Sequence, residues 1–215
     1  MYVPEAFRLN DPQRIAEVIR DYDFALLVTA PEGVPQATHL PFLYDPGRGE
    51  QGTLLSHMAR PNAQWRDFEK LAEAGQEALV IFQGPHAYIS PAWYGAGPPN
   101  VPTWNYVAVH AYGLPKVIEE PARVRALLDR LVATQEAGLD PAWSTAGLTE
   151  KFLAGMQRGL VAFEIPVSRL EAKAKLSQNK TAGQFAAATA VLEKAEAPLV
   201  RQTGAWMRRA LEDKG

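Results

Sequence analysis

Residues 79–113 read LVIFQGPHAYISPAWYGAGPPNVPTWNYVAVHAYG, with two histidines, four tyrosines and two tryptophans among prolines and glycines. Apolar, β-branched runs at 78–82 and 107–111 predict strands on either side, and the Pro, Gly and Asn between them predict a loop. Aromatic side chains interleaved with turn residues cannot all be core. Part of this set is expected to line a flat, partly open surface, suited to a planar ligand that stacks and accepts hydrogen bonds.

Other chemistries lack their patterns. The chain has no cysteine, which excludes disulfides, thiolate catalysis and cysteine-based zinc sites. His39, His57, His86 and His110 are not spaced for one helix face, and there is no HExxH, so no metal site is expected. Ser56 and His57 are adjacent on a predicted strand, so their side chains point to opposite faces and cannot act as nucleophile and base. There is no GxSxG, no GxGxxG and no GxxxxGK[ST].

Three sets could hold a ligand. Ser56, His57, Met58, Ala59, Arg60, Pro61 and Asn62 end a strand and start a helix. Free backbone N–H groups, an arginine, a hydroxyl and an amide there form a phosphate cradle, or else a helix cap with a solvated arginine. The run 173–180 carries Lys173, Lys175 and Lys180 with Ser177, Gln178 and Asn179 and no acid; it is an anion-binding edge or a solvated turn, and composition favours the turn. Trp104 and Tyr106 share one face of a strand and Asn105 takes the other; stacking with amide hydrogen bonds is one reading, core packing the alternative.

The elements that position these residues follow from periodicity and punctuation. Asp11-Pro12 predicts a helix over 12–21 burying Ile15, Val18 and Ile19. Strands are predicted at 24–30, 36–44 and 53–57, the first two forming a hairpin. Pro61 is expected to open a helix to residue 74 with Trp65, Phe68 and Leu71 on one face. Strands at 78–83 and 106–117 flank the aromatic loop. A helix over 122–136 carries the stripe Val124, Leu127, Leu128, Leu131 and Val132, and a shorter one over 148–156 is capped by Thr149 or Gly147. A strand at 160–165 continues irregularly over 167–174, and helices at 181–194 and 199–212 follow. With no regular βαβ alternation, about six strands in antiparallel pairs predict a small barrel with helices outside.

The bulk numbers agree with one large domain or one domain with an appendage: 215 residues, 47% hydrophobic and 21% charged. The expected division is a barrel domain over 1–180 and a helical extension over 181–215 packed on it. No apolar run approaches the ~18 residues that span a bilayer, so no membrane partner is expected. MYVPEAFRLNDP has neither a basic n-region nor an apolar h-region, which points to the cytoplasm. A net charge of −2 gives no global pull toward nucleic acid.

Five ordered motifs, THLPFL, GTLLSHMARPNAQW, VIFQGPHAYISPAWY, VPTWNYVAVHAYG and KLSQNK, closely resemble those of the PaiB-type family of FMN-binding negative transcriptional regulators. The resemblance covers residue 1 to about residue 180. It implies an FMN-binding split barrel, mainly β with α: a six-stranded antiparallel Greek-key barrel with peripheral helices. It also implies a homodimer with FMN sites at the subunit interface. Carried onto this chain, the flavin ring and phosphate contacts fall on Thr38, His39, Leu40 and Pro41, then on Ser56, His57, Met58, Ala59, Arg60 and Asn62. Arg60 and Ser56 are assigned to the phosphate, and backbone N–H groups near Leu40 to the polar edge of the ring system. Lys175, Ser177 and Gln178 complete the pocket, with Tyr88, Trp93, Trp104 and Asn105 as walls. Where the related pyridoxamine-phosphate oxidases carry an Arg-x-x-x-x-Lys clamp, this chain has His39 to Tyr44.

The resemblance implies a regulator, with DNA as a partner on family grounds alone. Residues 181–215 hold five Lys or Arg and four Asp or Glu, and the link at Pro198 lacks the glycine turn usual in a helix-turn-helix. The alternative is an FMN-dependent oxidoreductase, in which His57, His86 or Tyr88 places a substrate or donates a proton. A haem-handling split barrel would need a histidine as axial ligand.

Overall fold

The computed structural model describes residues 1–212. Among them are eight strands: β1 Phe24–Thr29, β2 Gln36–Pro41, β3 Leu43–Asp45, β4 Thr53–Ala59, β5 Ala78–Ile89, β6 Thr103–Gly113, β7 Lys116–Ile118 and β8 Leu160–Lys175. Six are long, matching the expected count, and β3 and β7 have three residues each. The helices are α1 Pro12–Asp21, α2 Asp67–Ala74, α3 Pro121–Glu136, α4 Glu150–Arg158, α5 Ala182–Glu193 and α6 Pro198–Glu212. None among the described residues is long and apolar enough to cross a membrane.

The chain groups into two compact units that alternate along the sequence. One takes Met1–Tyr22, Phe82–His110 and the chain from Glu171 onward; the other takes Asp23–Ile81 and Ala111–Leu170. The hydrogen-bonded path is β2-β1-β5-β6-β8-β4-β3, with β7 also on β8. The β1–β2, β1–β5, β3–β4, β4–β8 and β7–β8 pairings are all antiparallel.

In the unit that contains β1 to β4, residues 36–44 do not form one strand. β2 pairs with β1 up to Phe24↔Pro41, and β3 then pairs with β4 from Leu43↔Leu55. Pro41 has no N–H to extend a ladder. Phe42 instead donates its N–H to Asp23 O at 2.9 Å and buries its ring. Pro61 does not open the next helix either. Asn62 is the cap, accepting from Gln64 N at 3.0 Å, and a 3-10 turn over Ala63–Arg66 precedes α2. The core here is Leu43, Leu55, Ile118, Leu127, Leu131 and Ala162, with Val124 and Leu128 against it. The predicted stripe of α3 therefore faces inward. A second cluster sets Phe163 tilted against Phe68 (centroids 5.1 Å) and edge-on against Phe42 (6.1 Å). Two arginines, Arg48 and Arg123, donate to the same Glu164 oxygen at 2.8 and 2.7 Å.

The segment 167–174 is regular, not irregular, and β8 runs sixteen residues. Its neighbours supply what its own alternation lacks. The Gln51 amide donates to Ser168 O and accepts from Leu170 N, as a partner strand's backbone would. Gly113 is required where β6 meets β8: a Cβ there would stand 2.3 Å from Pro166 O.

In the other unit, β5 extends past its expected end at 83 through Gly84 and Pro85 to Ile89. A Cβ at Gly84 would come within 3.0 Å of Val107 O, so glycine here marks a close backbone approach, not a turn. β6 ends at Gly113, a residue of the unit that contains β1 to β4, and β7 of that unit is separate, where one strand over 106–117 was expected. α5 and α6 split at the predicted proline. They pack closely because a Cβ at Gly204 would sit 2.9 Å from Glu193 N. Caps read from sequence hold at Asp11, which accepts from Gln13 N, and at Thr149 (not Gly147), which accepts from Phe152 N; Thr181, expected as the first residue of a helix, instead caps it by accepting from Gln184 N.

Leu127 is 3% exposed in the α3 contact. Leu127→Ala is expected to cost about 2–5 kcal/mol, read as a lowered urea midpoint with an unchanged m-value.

Candidate functional site

The sequence-predicted site residues fall into two groups, one in each unit. The first joins β2 to the end of β4 and the turn beyond. Asn62 donates through Nδ2 to Thr38 Oγ1 at 3.0 Å, and Ser56 Oγ donates to Pro41 O at 2.6 Å. His39 is exposed and stacks on Phe24 (6.0 Å between centroids, 24° between planes). Leu40 and Met58 are buried, so only their backbones are available to a ligand. His57 is half-buried. Its Nδ1 has no hydrogen-bond partner, and burial holds its pKa below the ordinary value.

One assignment in this group needs correction, and a second residue is more constrained than a solvated side chain. Ser56 is fully buried and its single hydrogen goes to Pro41, so it has none for a phosphate. Arg60 is not simply solvated: Nε donates to Arg158 O at 2.8 Å and Nη2 to Leu160 O at 2.7 Å, while its backbone N–H meets Gly159 O at 2.8 Å. The side chain thus fastens the α4–β8 turn first, and Nη1 keeps both its hydrogens.

The second group contains an open and a closed part. Tyr88 sets its edge against Trp93 (6.4 Å, 78°) and Trp104 (6.1 Å, 73°), and His86 tilts against Trp104 at 6.3 Å. Trp104 is 54% exposed and Tyr88 44%, so the open aromatic surface expected from composition exists. Lys175 lies beside it, donating to Trp104 O at 2.9 Å and to Thr103 Oγ1. Burial lowers the Lys175 pKa; the charges of Lys173 and Lys180 add to that and Tyr106 opposes it.

Asn105, Ser177 and Tyr94 form the closed part, and this corrects Asn105 as a pocket wall and Ser177 as a pocket contact. Asn105 is 0% exposed and Ser177 3%. Ser177 Oγ meets Asn105 Nδ2 at 2.9 Å, Asn105 Oδ1 at 3.1 Å and Tyr94 Oη at 3.0 Å. Ser177 has φ +66°, a left-handed conformation that is strained for a non-glycine residue. Gln178 folds its amide onto Leu176 N (2.7 Å) and Ala174 O (2.5 Å). Tyr106 lies under the Lys173 ammonium at 5.1 Å, and Lys173 is itself buried.

Sequence reasoning missed a buried network behind the first group. Gln64 Nε2 reaches Leu27 O, Thr29 Oγ1 and Gln36 O at 3.1–3.2 Å, while Thr29 donates to Asp67 at 2.8 Å. No local motif marks these residues; only the helix-cap position of Asn62 hinted that Gln64 would turn inward. Among the described residues, no three His, Asp or Glu side chains gather as metal ligands.

Long strands paired antiparallel, with helices interspersed, define the split-barrel class. The flavocytochrome Anf3 from Azotobacter vinelandii shares this fold at TM-score 0.60 and 14% identity, over 80% of this chain and 72% of that one. So does the FAD and heme binding protein from Mycobacterium smegmatis, at TM-score 0.52 and 18% identity, over 78% and 73%. The chain belongs to the family described as "Putative FMN-binding domain", whose model matches residues 1–169. It is 35% identical to the protease synthase and sporulation protein PAI 2 of Bacillus subtilis (strain 168), over 100% of this chain and 98% of that one. An uncharacterized protein of Emericella nidulans is 27% identical over 79% of this chain and 81% of its own length. The PaiB-type resemblance read from the five motifs is thereby established.

The half-buried His57 generates a pH prediction. Its folded pKa lies below the unfolded one, so above pH ~6.5 both states are neutral there and its contribution is constant. As pH falls below that value, the unfolded chain binds a proton that the folded site resists, and stability drops. Urea melts between pH 7.5 and 5 are expected to show this loss, and His57→Gln to flatten part of it.

Proposed function

We propose that this chain binds flavin mononucleotide as a homodimer and is a flavin-binding protein of the PaiB regulator type. Membership of the FMN-binding family supports the cofactor class. The observation that carries the site is the open ring cluster of Tyr88, Trp93 and Trp104 with Lys175 beside it. A planar, phosphorylated ligand matches both features: exposed ring faces stack its ring system, and an ammonium with a hydrogen to spare meets its anion. Thr38, His39, Ala59 and Asn62 stay accessible in the other unit, and one subunit would present them to a cofactor lying against the aromatic face of its mate. Flavin, when bound, supplies hydride or electron transfer. The residues of the chain bind and orient it.

A second reading, an FMN-dependent oxidoreductase, draws on the terminal helices. Three arginines of these helices are already engaged. Arg208 pairs with Glu193, Arg209 with Glu17, and Arg201 donates to Ala195 O and Glu196 O. Asp213 and Lys214, counted in the terminal charge balance, lie outside the described residues. A helix whose cations serve its own fold gives little to a phosphate backbone. NADPH oxidation by the flavin-loaded protein supports the enzyme; a mobility shift that persists against competitor DNA supports the direct regulator.

The site itself is tested by titrating apoprotein with FMN. Trp104→Ala and Lys175→Met are each expected to weaken binding about tenfold or more, the scale of one lost stacking or charged contact. Flavin affinity unchanged in both variants overturns the site. Light scattering is expected to give twice the 23.6 kDa chain mass; a monomer overturns the shared-site arrangement.

A further inference from the structure

A cleft of about 540 Å³ opens in the unit that holds β4. Its apolar lining includes Trp65, Val117, Pro121, Val124, Ala154 and Leu160, with Gln157 as a neutral polar neighbour. This volume lies in the range of small-molecule sites. α4 borders it through Ala154, Gln157 and Arg158 and buries none of its residues.

Two arginines face the cleft. Arg60 is held in place by the carbonyls of Arg158 and Leu160, which use two of its five N–H groups and leave Nη1 without a partner among the described residues. The Arg158 guanidinium makes no hydrogen bond or ion pair among the described residues. One acid, Glu119, also lines the cleft and is likewise unpaired there. The lining therefore carries a net single positive charge. A guanidinium fork pinned by backbone carbonyls is preorganised for a carboxylate, which accepts two parallel N–H groups. Glu119 disfavours a dianion, which separates this chemistry from that of a phosphate monoester such as FMN.

We propose that this cleft is a second ligand site, taking a monoanionic carboxylate with a short apolar chain. The carboxylate lies between Arg60 and Arg158, and the chain lies along Val117, Val124 and Leu160. The site uses no residue of the aromatic face, although Arg60 lies in sequence between Ala59 and Asn62, which the flavin reading offers to the cofactor.

Displacement of the fluorescent anion 8-anilinonaphthalene-1-sulfonate tests it, with octanoate, octylamine and FMN as competitors. Octanoate is expected to displace the probe and octylamine to fail. Each methylene gained from hexanoate to octanoate is expected to tighten binding about fourfold, the increment for full burial. Arg158→Gln, at an exposed helix position, is expected to weaken octanoate about tenfold. Ala154→Phe is expected to do the same by narrowing the cleft, and Trp104→Ala to leave octanoate binding unchanged while flavin binding falls. Equal displacement by octylamine, no effect of Arg158→Gln, or displacement of octanoate by FMN at saturating flavin overturns the proposal. Loss of flavin binding with octanoate retained counts against the flavin reading alone.

Discussion

At Pro41 one continuous segment leaves the β1 ladder and joins the β4 ladder, and much of its unit depends on that crossing being held. Proline ends the first ladder because it has no hydrogen to give. The exposed turn that would result is closed by three contacts: Phe42 N–H on Asp23 O, Ser56 Oγ on Pro41 O, and the Phe42 ring against Phe163. The crossing puts Thr38 within reach of Asn62, and Asn62 caps the turn that sends Gln64 inward. A hydroxyl that looked available to a ligand is what holds this geometry.

The same distinction runs through the other unit. KLSQNK reads as a polar, basic ligand edge, yet Ser177 and Gln178 turn their side chains into the fold. Ser177 adopts a left-handed backbone conformation, and three hydrogen bonds to its hydroxyl surround that strained residue. Lys175, two residues earlier, points its ammonium at a backbone carbonyl beside exposed rings. Residues of one short motif thus divide between holding the loop and facing outward. Burial separates the two classes, and burial is not a property that composition reveals.

Much of the architecture was legible. Helix starts at Asp11 and Thr149 follow from side-chain oxygens placed before helical runs, and the split at Pro198 follows from proline geometry. The alternation of Trp104, Asn105 and Tyr106 across β6 follows from strand periodicity, and it put Asn105 on the face opposite Trp104. What failed to show had non-local causes. Gly84-Pro85 reads as a turn because the close approach of Val107 lies outside the local window. The second half of β8 reads as irregular because the Gln51 side chain, far away in sequence, completes its hydrogen bonding. The Gln64–Thr29–Asp67 network joins three segments with no shared motif. The site was legible as a set of residue types, but which of them face a ligand was settled only by packing.

Accounting for cations decides which chemistry each surface offers. Arg48 and Arg123 are committed to Glu164, Arg208 to Glu193, Arg209 to Glu17, and Arg201 to two carbonyls. Lys173 is buried between the Tyr2 and Tyr106 rings. A near-neutral protein that binds most of its positive charge internally projects little field into solvent, so long-range attraction to a polyanion is weak. Anion recognition must then be short-range, at points where a cation is fixed but not satisfied. Lys175 beside the aromatic face and the Arg60–Arg158 pair at the apolar cleft meet that condition. At both, apolar surface adjoins the charge, so binding there couples a carboxylate or phosphate to an apolar body, and selectivity rests on the shape of that body more than on its charge.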